Sequence, residues 1–154
     1  MPFRAPPSTT SFRSFTLFPT PTTLQGLTCP TPTTLTISLR SRLTTVPLTS
    51  ILSEPSKVNP NPLPPSHDHL GDITLSFDGT KIIGPAEAAG GISGQSVHVA
   101  GRIIEYDSST LKTLGSYETS QDHIPWVGIN PSDGILYSSE FDNLSIKFKE
   151  DLCT

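Results

Sequence analysis

At 154 residues the chain has room for one domain, and hydrophobic residues supply only 34% of it. The ten basic residues lie scattered, without the Lys/Arg clusters that mark a nucleic-acid-binding surface. No apolar run approaches the roughly 20 residues that a membrane-spanning helix needs. Composition therefore argues against nucleic-acid and membrane partners.

The two halves of the chain differ in composition. Residues 1–66 hold 13 of the 16 prolines, one of the 11 glycines, and a formal charge of +4. Residues 67–154 hold 13 acidic and five basic residues, a formal charge of −8. The Pro-, Ser- and Thr-rich stretch 1–21 is predicted to be disordered. It lacks the apolar core of a signal peptide, which is usually about 7–15 residues long. The sequence therefore does not predict a cellular compartment, and secretion is an option for a chain that begins further upstream.

Beyond residue 21 the pattern is that of short strands separated by turns. Residues 34–40 alternate apolar and polar side chains, with Leu35, Ile37 and Leu39 on one face, and Thr and Ile favour strands. Residues 53–66, rich in Pro and Asn, are predicted to form a loop. We find no amphipathic helical pattern and expect an all-β fold. The predicted strands are, in chain order, 24–29, 34–40, 43–48, 72–77, 80–85, 97–106, 111–118, 126–129, 134–139 and 144–148.

One segment of the chain returns 54 residues later. Residues 68–75 read Asp-His-Leu-Gly-Asp-Ile-Thr-Leu, and residues 122–129 read Asp-His-Ile-Pro-Trp-Val-Gly-Ile. An Asp-Gly pair follows each copy, at Asp78-Gly79 and Asp133-Gly134, and predicts a hairpin turn of the primed type. A period of this length, built of short strands and Gly turns, is typical of β-propeller blades. We therefore predict a partial β-propeller over residues 22–154, with two to three four-stranded blades near 22–66, 67–121 and 122–154.

Two further motifs point to a family. Residues 101–107 (Gly-Arg-Ile-Ile-Glu-Tyr-Asp) precede Leu111-Lys112, and residues 125–142 contain Pro-Trp-Val-Gly-Ile-Asn-Pro and Gly-Ile-Leu-Tyr-Ser-Ser-Glu-Phe-Asp. These motifs resemble the blades of six-bladed β-propellers of the TolB-like and gluconolactonase-like superfamily. At this period a six-bladed ring needs roughly 300 residues. The resemblance therefore implies a fragment, or half of a ring that self-associates with another copy through its open blade edges.

The resemblance also implies candidate functional residues at one mouth of the ring. Gluconolactonase-like relatives hold a hard cation in the channel with Glu, Asn and Asp oxygens, the ligand atoms that Ca²⁺ prefers. By position this implies Glu87, Glu140 and Asp142 as ligands of Ca²⁺, with His69 or His123 as a proton shuttle. The alternative is structural, because residues repeated in each blade also serve packing. Each Asp-His pair would then sit at a turn and at a blade junction.

Two smaller motifs carry less weight. His67-Asp68-His69 offers two imidazoles without a distant third metal ligand, and Trp126 is expected in the core or between blades. The function predicted first is a module that binds a small molecule or a protein at the channel mouth. The alternatives are a Ca²⁺-dependent lactonase- or esterase-like hydrolase in the full-length ring, and a truncated fragment without function. The sequence does not decide whether the chain is an enzyme.

Overall fold

The computed structural model describes residues 24–48, 55–88, 99–121, 123–139 and 146–148, the last of these as backbone only. Within these ranges the chain forms twelve β-strands and no helix, which confirms the predicted all-β fold. The strands form three antiparallel sheets, which we name sheets A, B and C in chain order. The segment 1–21, predicted to be disordered, lies outside the described residues.

Sheet A is a meander of four strands. The alternating pattern at residues 34–40 correctly predicts the second strand, and both of its faces are buried, since Thr36 and Ser38 are as inaccessible as Ile37. The fourth strand corrects the sequence analysis, because it lies in a segment predicted to be a loop and pairs with the third. In order, the strands are β1 (Leu24–Thr31), β2 (Thr34–Leu39), β3 (Arg42–Pro47) and β4 (Lys57–Asn59).

Sheet B contains five strands: β5 (His69–Leu70), β6 (Thr74–Leu75), β7 (Lys81–Glu87), β8 (Arg102–Asp107) and β9 (Thr113–Glu118). Both short strands pair with β7 and together act as one interrupted inner strand, while β8 and β9 follow outward. The last strand begins later than predicted, because Leu111 closes a turn with a positive φ of 61°. Its N–H donates to the carbonyl oxygen of Asp107 at 2.8 Å.

Sheet C contains β10 (Trp126–Ile129), β11 (Leu136–Ser139) and β12 (Ile146–Phe148), in that order. The β10–β11 hairpin of sheet C pairs its residues in the same register as the β6–β7 hairpin of sheet B. Leu75 pairs with Ile82 in sheet B, and Ile129 pairs with Leu136 in sheet C, so each partner lies 54 residues further along the chain.

The two Asp-Gly turns differ from the predicted primed type. A type I′ turn needs a positive φ at both central residues. Gly79 and Gly134 have positive φ values of 74° and 69°, whereas Asp78 and Asp133 do not. Each reversal is therefore a longer turn that ends on a left-handed glycine, a conformation that glycine adopts without a steric penalty.

Sheet B packs against both other sheets. Ile82 and Ile83 are neighbours on β7 and so point to opposite faces of the sheet. Ile82 lies in a core cluster with Leu43 of sheet A, whereas Ile83 lies in a second cluster with Val127 and Leu136 of sheet C. Adjacent residues of one central strand thus connect all three sheets.

The inner strands of the three sheets lie next to one another. The N–H of Asp72 donates to the carbonyl oxygen of Pro125 at 2.9 Å, and Asp72 forms a parallel bridge with Trp126. Towards sheet A, Gly26 of β1 lies against Asp72, since a Cβ atom at Gly26 would lie 2.6 Å from the Cα atom of Asp72. Three sheets that extend from adjacent inner strands fit the predicted partial β-propeller.

Candidate functional site

His69 and Glu87 face each other at the end of sheet B where β5 pairs with β7. The Nδ1 atom of His69 lies 3.8 Å from Oε2 of Glu87. The other ring nitrogen, Nε2, lies 2.8 Å from Oε1 of Gln25 on β1. Adjacent inner strands thus bring together three polar side chains, although 44 positions separate Gln25 from His69.

The contact with Gln25 determines which imidazole nitrogen carries a proton. An amide oxygen only accepts hydrogen bonds, so Nε2 of His69 is the donor. The Nδ1 atom faces Oε2 of Glu87 across 3.8 Å, a distance that is too long for a hydrogen bond but within reach of an ion pair with a protonated imidazole.

Glu87 combines burial with an unmet hydrogen-bond acceptor. The residue is 6% exposed, and its Oε1 has no hydrogen-bond partner among the described residues. Burial raises the pKa of the Glu87 carboxyl group, against the lowering effects of His69, His123 and the Ile124 backbone N–H. A buried polar atom without a partner costs about 1–3 kcal/mol. Groups that are perturbed in this way concentrate at functional sites.

Gln121 is a second buried side chain with a polar atom that lacks a hydrogen-bond partner among the described residues. It is 1% exposed, and its Oε1 accepts a hydrogen bond from the Ser138 hydroxyl at 2.8 Å. Its Nε2 has no partner within the described part of the chain. Gln121 and Ile124 both border Gly101, where a Cβ atom would lie 2.9 Å from the Gln121 carbonyl oxygen and from Ile124 Cδ1. The backbone N–H of Ile124 in turn lies close enough to Glu87 to lower its pKa, so the segment that follows Gln121 runs past Glu87.

The other predicted site residues are only partly covered by the structure. His123 is exposed, and its charge is near enough to lower the pKa of Glu87. Glu140 and Asp142 lie outside the described residues. Among the residues that are described, no group of three or more His, Cys, Asp or Glu side chains could hold a metal ion. The Ca²⁺ site stays a prediction that depends on Glu140 and Asp142.

His67 and Trp126 take positions that the sequence did not suggest. The His67 ring lies between two carbonyl oxygens, with Nδ1 3.2 Å from Pro65 and Nε2 3.1 Å from Ala100, so it connects two loops. Trp126, expected in the core or between blades, is 38% exposed. The expectation of a core position was wrong because side chains alternate along β10, and Val127 takes the buried side. The bridge with Asp72 does place Trp126 where sheets B and C meet.

Sequence reasoning missed Gln25 and Gln121. Gln121 directly precedes the second Asp-His pair, and this position next to a repeated motif was a usable signal. Nothing in the sequence distinguishes Gln25 from other polar residues of a short strand. Only the packing of sheet A beside sheet B brings it to His69.

No protein-family model matches the sequence, and no curated protein matches it at a significant level. In the ranges that the structure describes, no helix is long and apolar enough to cross a membrane. The functional interpretation therefore depends on the geometry of the site.

Proposed function

We propose that the chain forms part of a β-propeller and serves as a module that binds a small molecule or a protein at one mouth of the channel. Two observations support the propeller: the inner strands lie next to one another, and two hairpins correspond at an offset of 54 residues. Corresponding residues of successive blades reach the same mouth, because blades are arranged radially. His69 and His123 are such a corresponding pair.

The observation that carries the proposal is that Oε1 of Glu87 is buried and has no hydrogen-bond partner among the residues that the structure describes. An acceptor without a donor destabilises the folded protein, so folding alone would favour an apolar side chain at this position. A ligand that donates a hydrogen bond to Glu87 would offset the penalty. The site therefore suits a small polar ligand group that donates a hydrogen bond to Glu87.

Ligand-observed NMR with imidazole, acetamide and glycerol as probes tests this proposal. We expect at least one probe to bind the wild-type protein and to lose its binding in Glu87→Gln, which replaces an acceptor oxygen by a donor. Glu118→Gln is the matched control, because the Glu118 side chain is 68% exposed and pairs with Arg102 at 3.1 Å. If no probe binds, or if both variants affect binding equally, Glu87 is not part of a ligand site.

A second candidate function is a Ca²⁺-dependent lactonase- or esterase-like hydrolase, which the His69–Glu87 pair favours. A histidine beside a buried carboxyl group can act as a general base towards a water molecule. In this proposal Glu87, Glu140 and Asp142 bind Ca²⁺, while His69 or His123 moves the proton.

Thermal unfolding in the presence of Ca²⁺ tests the hydrolase. Binding to the native state raises the melting temperature by mass action. We expect Glu140→Gln to abolish this rise and the exposed control Glu118→Gln to preserve it. An unchanged melting temperature at millimolar Ca²⁺ would rule out the metal-dependent enzyme.

The third candidate is a truncated fragment without function. Open sheet edges and uncovered blade faces favour association and aggregation. A monodisperse protein that unfolds in one cooperative transition would count against this candidate.

A further inference from the structure

The inner strands carry a second exposed surface, outside the Glu87 site. Asp72 and Trp126 form a parallel bridge, so their side chains point to the same side of the strands. The residues that follow them, Ile73 and Val127, are buried on the opposite side. Asp72 and Trp126 are themselves exposed. We name this two-residue surface the Asp72–Trp126 platform.

Two glycines shape the platform. A Cβ atom at Gly26 would overlap Oδ1 of Asp72 and lie 2.6 Å from its Cα atom, so glycine lets β1 approach and the Asp72 carboxylate lies against β1. The six-membered ring of Trp126 lies over Gly128, with Cζ3 3.5 Å from the position of a Cβ atom there. The indole therefore lies along its own strand, and its exposed part is accessible to a ligand.

The charge of the platform selects the kind of ligand. Asp72 Oδ1 accepts a hydrogen bond from the Ile73 N–H at 2.8 Å, and Asp72 forms no salt bridge with any described residue. Residues 67–154, which include the platform, carry a formal charge of −8. An indole face is electron-rich and attracts cations. An aromatic face beside a carboxylate therefore favours an organic cation over an anion.

We propose that the Asp72–Trp126 platform binds the guanidinium group of an arginine side chain on a partner protein. A guanidinium is planar, stacks on aromatic faces and donates paired hydrogen bonds to a carboxylate. Two exposed contacts hold a free small molecule weakly, because an exposed cation–π contact contributes only about 0.5–1 kcal/mol. An arginine side chain that a larger protein–protein interface already positions does not need a stronger local contact. This inference uses none of the residues of the Glu87 site and does not depend on the function proposed for it.

Tryptophan fluorescence tests the proposal directly, because Trp126 is the only tryptophan of the chain. The probe is Nα-acetyl-arginine amide, and the control ligand is Nα-acetyl-citrulline amide, which has nearly the same shape without the charge. Because the free probe binds weakly, we expect a concentration-dependent fluorescence change at high concentrations of the arginine probe and none with the citrulline probe. Asp72→Asn should weaken that binding about fivefold, the factor that corresponds to about 1 kcal/mol of exposed ion pairing.

Two acid-to-amide variants serve as controls. Glu118→Gln removes an exposed carboxylate elsewhere, and Glu87→Gln alters the other proposed site; both should leave the arginine titration unchanged. An equal effect of the citrulline probe, an equal response of Asp72→Asn, or no fluorescence change up to the solubility limit of the arginine probe would overturn the proposal. Because Glu87→Gln is a control here, a failure of the Glu87 site and a failure of the platform give different results.

Discussion

Carboxyl groups of the same kind respond in opposite ways to their positions in this protein. Hydrogen bonds from Ser76 and Thr80 lower the pKa of Asp78 to about 2, and those from Ser109 and Thr110 do the same for Asp107. Both aspartates lie in turns, where hydroxyl and N–H donors favour the charged form. Glu87 lies between sheets, and burial raises its pKa. Among these three acids, Glu87 is the one whose negative charge opposes folding.

We expect Glu87→Gln to stabilise the protein by about 1 kcal/mol at neutral pH. Folding raises the pKa of the Glu87 carboxyl group. Protonated Glu87 therefore contributes its full stability below the pKa of the unfolded chain, and this contribution is lost as the pH rises through the pKa of the folded state. The neutral amide avoids this loss, so the gain should shrink as the pH falls to about 4. Urea unfolding of both proteins at acid and neutral pH measures the effect.

The exposed control Glu118→Gln should show no comparable dependence on pH, since its side chain is 68% exposed. If Glu87→Gln were instead less stable at neutral pH, the Glu87 carboxylate would hold a structural bond, and its role as a ligand acceptor would fail.

At the scale of single elements, three turns each contain a residue in the left-handed backbone conformation. Gly79, Leu111 and Gly134 have φ values of 74°, 61° and 69°. For leucine this conformation costs about 1–2 kcal/mol. The fully buried side chain of Leu111 offsets the strain, because burying a leucine contributes about 1.5–3 kcal/mol. A turn can thus tolerate an unfavourable residue when its side chain joins the core.

Gly134→Ala isolates the backbone part of this strain. A Cβ atom at position 134 would meet nothing within 4 Å, so the substitution adds no clash. We expect it to lower the free energy of unfolding by about 1 kcal/mol, because alanine disfavours a positive φ. Gly134→Asn, which tolerates this conformation better, should cost less. Urea denaturation compares the three proteins, and equal stabilities would show that the turn changes its conformation at no cost.

Over the whole described structure, sheet B is the central layer of the packing. Its Ile82 shares a core with Leu43 of sheet A, and its Ile83 shares another with Val127 and Leu136 of sheet C. Neither outer sheet can therefore lose its contacts without exposing apolar surface of sheet B. We infer that the three sheets unfold together.

Ile83→Ala should test this coupling. The substitution should destabilise the protein by about 3 kcal/mol, as large-to-small changes in a core do. Amide hydrogen exchange should then become faster in sheets B and C together. Val58→Ala, at a β4 position that is 44% exposed, should change stability by less than about 0.5 kcal/mol. Two separate unfolding transitions in the wild-type protein would contradict a shared core and would support the fragment hypothesis.

Local patterns were sufficient to predict much of this protein. The alternation at residues 34–40 predicted β2, and the resemblance to β-propeller blades implied His69 and Glu87 as candidates that the structure brings together. The all-β class also followed, because strand periodicity and turn residues act over a few neighbouring positions. Glu140 and Asp142 remain predictions from the same resemblance.

Only the tertiary structure decided which of these residues meet and which stay exposed. It paired β4 with β3 across a segment predicted to be a loop, left Trp126 accessible, and placed Gln25 against His69. None of these results depends on adjacent residues in the chain. They depend on which sheet lies beside which, and that is determined by the burial of apolar faces between residues far apart in sequence.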